Sequence, residues 1–155
     1  MIQRIQSLYL ILATAVLVLM FYIPFSVLIS SSDMAYSVVY NGISQYSDKA
    51  WSLINMNYLG VILLILSCTI TFIAIFLFKN RKLQIKFCWI SIVSAFLVLA
   101  TYFIRHKFAV ADYNITKSSF SWSAILPLIS AILAYMALKS IKKDDDLVKS
   151  VDRIR

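Results

Sequence analysis

A chain of 155 residues has the length of a single domain, and 61% of it is hydrophobic against 14% charged. A water-soluble core of this size does not require so much apolar surface, and two glycines and two prolines exclude disordered or low-complexity readings. The formal charge of +8 would suggest nucleic acid in a soluble domain. Here the basic residues flank apolar runs and read as an orientation signal, so no nucleic-acid partner is expected.

Four runs without a charged residue organise the chain: Leu8 to Ile29, Tyr58 to Phe78, Phe87 to Ile104 and Trp122 to Leu138. An α-helix needs about 18 or more such residues to cross a hydrocarbon core roughly 30 Å thick. The expectation is an all-α membrane protein, a four-transmembrane-helix bundle with a small extracytoplasmic β-hairpin or sheet. It forms one integral membrane domain over 1–155, with spans at about 8–29, 58–78, 87–104 and 122–138. The outer loops then cover 30–57 and 105–121, and a tail covers 139–155.

In chain order, the first run exceeds the roughly 7–15-residue core of a cleaved signal, and Ser30-Ser31-Ser32 is a poor cleavage site. It reads as a retained anchor, with Tyr9 and Tyr22 as interfacial aromatics. Pro24 kinks the last turn of that helix or ends it. The first outer loop holds Ser37–Tyr40 and Ile43–Tyr46 around Asn41-Gly42, a dipeptide suited to a hairpin turn that needs φ > 0 at both central residues. A lone hairpin is marginal in water, so a third strand is expected from Phe108–Val110 or Tyr113–Thr116 of the second outer loop. Asp48 is expected to cap a short interfacial helix from Lys49 to Ile54. Eight residues, Lys79 to Lys86, join spans two and three, which must therefore pair antiparallel. The fourth span is expected to start near Trp122, to break or bend near Pro127 and to end at Lys139.

Two pairs of spans place both termini on one side of the membrane. Arg4, the Lys79–Lys86 turn (with Arg81 and Lys82) and the tail's Lys139, Lys142, Lys143, Lys149, Arg153 and Arg155 fall there. Lys49, Arg105, Lys107 and Lys117 face the other way. Both termini are thus expected to be cytoplasmic. Cys68 and Cys88 sit at different depths and read as small buried apolar residues rather than a disulfide pair. Beyond Lys139 the chain stays helix-compatible, with Ile141, Leu147, Val148, Val151 and Ile154 loosely on one side. This describes either an amphipathic helix lying on the membrane or a partner, or a solvated extension of span four.

Chemistry inside a membrane is carried by ionisable groups, which are costly there and usually functional. No Asp, Glu, Lys, Arg or His lies in the four runs. The hydroxyls of Thr14, Ser67, Thr69, Thr71, Ser91, Ser94, Thr101 and Ser130 are expected to bond helix carbonyls or a neighbouring helix. Ser67, Thr69 and Thr71 cannot share one face, because positions i and i+2 diverge on a helix. His106 is the single histidine and makes no zinc site alone. With Arg105 and Lys107 it is expected to form a basic anchor touching anionic lipid headgroups. Asp144, Asp145 and Asp146 point in different directions on a helix among lysines, which suits a solvated face better than a cation site. No catalytic residue, metal ligand or cofactor is expected.

The two ends carry a resemblance. Met1-Ile2-Gln3-Arg4-Ile5-Gln6-Ser7-Leu8-Tyr9-Leu10 and the basic–acidic close from Ile141 to Arg155, ending Asp152-Arg153-Ile154-Arg155, resemble domain-of-unknown-function family 4293, small membrane proteins of the Bacteroidota. That resemblance implies a multi-pass protein of the bacterial cytoplasmic (inner) membrane with four spans. It implies no activity and transfers no site residues. The expected function is a non-enzymatic accessory or scaffold subunit, docked through its tail, its outer β element or both to a protein partner or a second copy. The alternative is a lipid- or hydrophobe-handling protein with a cavity among its helices and Arg105, His106 and Lys107 at the mouth.

Overall fold

The structure, a computed structural model, describes residues 2–31, 34–47 and 50–152. Helix α1 (Ile2–Leu19) is followed by strands β1 (Ser26–Ser30), β2 (Ala35–Val39), β3 (Gly42–Ser47) and β4 (Ala50–Met56). Helix α2 (Tyr58–Phe76) and a 3₁₀ turn (Leu77–Lys79) lead to α3 (Arg81–Asp112). Strand β5 (Ile115–Phe120), a second 3₁₀ turn (Trp122–Ile125) and α4 (Leu126–Asp152) complete the order. Helix α1 packs against α4 and α2, and α3 packs against α2 and α4, so the helices close a ring. Connectivity makes that ring up-down-up-down. The five strands lie at one end, and the α2–α3 turn and the outer ends of α1 and α4 lie at the other.

The first apolar run does not form one long helix. Helix α1 stops at Leu19 and the chain turns through Met20–Tyr22 before entering β1 at Ser26. Two local causes suffice: Pro24 biases Ile23 away from helical dihedrals, and the segment Ser26–Ser30 carries β-branched Val27 and Ile29 and alternates in burial. Ser26, Leu28 and Ser30 point inward, whereas Val27 and Ile29 face out.

The strands run in the order β4-β3-β2-β1-β5, each neighbouring pair antiparallel. One face is apolar: Leu28, Tyr36, Val38 and Ile43, with Phe25, pack on Leu17, Met20, Leu64, Val98, Tyr102, Ala109 and Leu126 from all four helices. Full burial of a side chain such as Leu28 or Ile43 contributes roughly 1.5–3 kcal/mol relative to exposure. The sheet is therefore fastened to the bundle rather than tethered to it.

Several local expectations are corrected. The turn between β2 and β3 is Tyr40–Asn41, one residue earlier than expected, and Val39 pairs with Gly42. Asn41 does not have positive φ; Gly42 does, at +151°. The shift follows from tertiary demand, since Gly42 also pairs with Met56 of β4 and the Asn41 carbonyl accepts from Asn57 N–H at 2.7 Å. A side chain at Gly42 would collide with the Asn55 carbonyl. The interfacial helix expected at Lys49–Ile54 is instead strand β4, paired to β3 through Tyr46↔Trp51 and Gln45↔Ser52. Asp48, its expected cap, and Lys49 lie outside the described residues. Phe108–Val110 belongs to α3, and the added strand is β5, starting at Ile115.

Helix α3 has 32 residues, about 48 Å at 1.5 Å per residue, well beyond a hydrocarbon core of about 30 Å. Its last turns project past the apolar run and carry the sheet. Asn57 caps α2 by accepting from Gly60 N–H at 3.2 Å. Pro127 falls in the first turn of α4, where no amide donor is needed, so the expected bend is a clean helix start after a 3₁₀ turn.

Candidate functional surfaces at the two ends of the bundle

Between α2 and α3 runs a ladder of hydroxyls. Ser67 and Ser94 lie 2.9 Å apart, and Thr71 and Ser91 lie 2.6 Å apart. Thr71 also donates to the Ser67 carbonyl and Ser94 to the Ser91 carbonyl. Thr69 points away and donates to the Ile65 carbonyl instead. Each rung closes on itself, so the seam serves helix pairing and presents no activated nucleophile.

At the sheet end, His106 and Ser26 meet with Nδ1 and Oγ 2.9 Å apart. His106 is 6% exposed and Ser26 is fully buried; the Phe120 ring lies over the imidazole with centroids 4.3 Å apart. A serine beside a histidine is the opening of a nucleophile–base pair. Here the hydroxyl has no open face to receive a substrate, and the contact pins β1 to α3. Burial pushes the His106 pKa below its ordinary value.

Arg105 and Lys107, its sequence neighbours, point elsewhere. Arg105 donates from Nη2 to Asn55 Oδ1 of β4 at 3.0 Å, and Lys107 is exposed. The three residues read together as a basic anchor thus divide: one locks the sheet inward, one ties its edge strand, and one faces solvent. Tyr102 adds another tie, donating to the Tyr40 carbonyl at 3.0 Å. Sequence reasoning did not find the Ser26 partner, which lies 80 residues away in a segment that its composition made look helical.

The outer strands of the sheet are β4 and β5. Strand β4 is exposed along nearly its whole length, and Trp51, Ile54 and Met56 stand 52%, 46% and 55% exposed. Tyr46 on β3 tilts against Trp51 with ring centroids 5.3 Å apart, extending the same apolar patch.

At the opposite end, polar side chains clamp all four helices. Gln6 Nε2 donates to Asp144 Oδ2 at 2.7 Å, and Arg81 Nη1 donates to the Asp144 carbonyl at 3.1 Å. Gln84 Nε2 donates to the Ala74 carbonyl at 3.1 Å. Asp144 is buried by this clamp rather than lying on the solvated face expected of the acidic run, whereas Asp146 is exposed. Lys142 Nζ sits 5.9 Å from the centre of the Trp89 ring. Between α1 and α4 a groove is lined by Ile5, Tyr9, Tyr135, Met136, Lys139, Ser140 and Lys143. A second, wholly apolar groove runs between α3 and α4, lined by Ile92, Phe96, Leu128, Ala131, Ile132 and Tyr135. Leu147 is exposed beyond them; the side chains of Val148 and Val151, and all of Ile154, lie outside the described residues. Among the described residues no group of three or more His, Cys, Asp or Glu side chains could hold a metal ion.

Among the described residues three helices are long and apolar enough to cross a membrane, α1 contributes a shorter apolar helix over Ile5–Leu19, and a five-stranded sheet caps one end. These features define a helical integral membrane protein bearing a sheet. The chain belongs to the family described as domain of unknown function (DUF4293), whose pattern matches residues 2–154, nearly its whole length. No curated protein matches the chain.

Proposed function

We propose that this protein is a non-enzymatic accessory or scaffold subunit of a bacterial inner-membrane assembly, and that it docks its partner through the unpaired edge of the sheet. The observation that carries this reading is the β4 edge: an outer strand with no second strand neighbour among the described residues, beside exposed Tyr46, Trp51, Ile54 and Met56. Exposed edge strands are templates for an added strand, and aromatic residues dominate docking surfaces. The edge is also held still, since Arg105 ties Asn55 and the sheet's other face is packed on the bundle. A rigid presentation lowers the ordering cost of binding.

In this reading all four helices span, α1 included; its 18 residues reach about 27 Å. Both termini are cytoplasmic and the sheet is outside, in keeping with the positive charge at the α2–α3 turn and the end of α4. The tail from Leu147 is a second, weaker contact. The lipid-handling alternative needs a cavity among the helices, whereas the two grooves described above open outward. Incorporating a photoreactive residue at Ile54 or at Leu147 in native membranes tests the proposal. A discrete cross-linked protein from Ile54 is expected. Products from neither position would contradict the scaffold reading.

A further inference from the structure

The two grooves beside α4 share Tyr135, and one stripe of the helix runs through both. Leu128, Ile132, Tyr135, Lys139 and Lys143 recur at intervals of three or four residues and so line up along one face. The stripe changes chemistry at Tyr135: apolar toward the sheet end, cationic toward the α2–α3 turn end. From Lys139 to Leu128 the rise is about 16 Å, close to the half-thickness of a hydrocarbon core of about 30 Å. One acyl chain of one leaflet has that reach.

We infer that this stripe is a binding site for a single anionic diacyl phospholipid. Its phosphate sits between Lys139 and Lys143, and one acyl chain lies in the groove walled by Phe96, Leu128 and Ile132. Charge complementarity selects the headgroup. Lys139 and Lys143 are exposed at the groove mouth, where the hydroxyls of Tyr9 and Ser140 offer donors to phosphate oxygens, and no carboxylate lines that groove. Of the neighbouring acids, Asp144 is buried and engaged by Gln6, Asp145 is half-buried, and Asp146 lies in the adjacent concavity with Lys139, Lys142, Lys143 and Leu147. Lys142 leans on Trp89 at the other flank of α4, keeping a further cation at the same depth. The inference does not depend on the scaffold reading or on which leaflet this end occupies.

The test uses the full chain purified in a neutral detergent, with native mass spectrometry reading retained phosphatidylglycerol against phosphatidylcholine of identical chains. Phosphatidylglycerol is expected to bind at least tenfold more tightly. Replacing both exposed cations, Lys139→Gln with Lys143→Gln, is expected to cut that affinity by about ten- to thirty-fold, at roughly 1 kcal/mol per lysine, without unfolding the protein. Ile132→Trp fills the apolar groove from its exposed wall and is expected to weaken phosphatidylglycerol binding several-fold. Equal binding of the two lipids, or indifference to the lysine variants, would overturn the site. So would soluble glycerophosphoglycerol binding as well as the lipid, which would mean a phosphate site without a chain groove. A protein dimer lost on Ile132→Trp would overturn it too, by assigning the groove to a second copy.

Discussion

Single residues show how the helices and the sheet are held. The Thr71–Ser91 rung is buried in an apolar seam, yet interhelical hydrogen bonds in membranes contribute only about 0.6 kcal/mol on average, because the separated helices find other partners. Thr71→Val combined with Ser91→Ala in a double-mutant cycle should give a coupling near that value in detergent unfolding. A coupling above about 2 kcal/mol would mean that the seam, rather than packing, holds α2 to α3. His106 makes a different prediction. It lies beyond the apolar run, at the level of the sheet, and burial lowers its pKa. In the unfolded chain the imidazole binds its proton more readily than in the folded one. Its contribution to stability is therefore present above about pH 6.5 and is lost as the pH falls through the lower folded pKa. Thermal stability should fall between pH 7.5 and pH 5, and His106→Asn should flatten that dependence. An unchanged slope in the variant would remove His106 as its source. Part of this was legible in sequence: helical spacing alone shows that Ser67, Thr69 and Thr71 cannot share one face, and Thr69 is the one that turns away. The Ser26–His106 contact was not, because no local pattern links residues 80 positions apart.

At the scale of elements, Gly42 decides whether the sheet has five strands. Its φ of +151° and the close approach of the Asn55 carbonyl leave no room for a side chain. Gly42→Val should open the β3–β4 pairing and render the segment between α1 and α2 protease-sensitive, while the helices still insert. Retained protease resistance would contradict this account of the turn. The hairpin was readable from Asn41-Gly42 between β-prone runs, though displaced by one residue once β4 recruited the glycine. Strand β1 was hidden because Val27, Leu28 and Ile29 continue an uncharged apolar run, and hydropathy cannot tell a buried strand from the end of a span. The signals that distinguish them are Pro24 and the Ser26/Leu28/Ser30 alternation. The tail carries its own test. Deleting residues 147–155 spares the Gln6–Asp144 and Arg81–Asp144 contacts, so the bundle should remain stable and inserted. A partner held through the β4 edge should still co-purify, and its loss would shift the docking surface to the tail.

The whole molecule is a ring of four antiparallel helices with different chemistry at its ends: a rigid sheet with an open apolar edge at one, and a basic, polar-clamped rim at the other. The broad class and the family were legible in sequence, from the uncharged runs and from the two terminal motifs. The extent of the sheet was not, because β5 joins β1 across 85 or more residues and so depends on the bundle bringing them together. The account turns on those two ends lying on opposite sides of the membrane with α1 crossing between them. Single cysteines introduced at Ser118 on β5 and at Lys82 beside the α2–α3 turn, labelled in intact cells with a membrane-impermeant maleimide, test this directly. The expected result is labelling at Ser118 in intact cells and at Lys82 only after the membrane is opened. Labelling of both, or of Lys82 alone, before opening would contradict it.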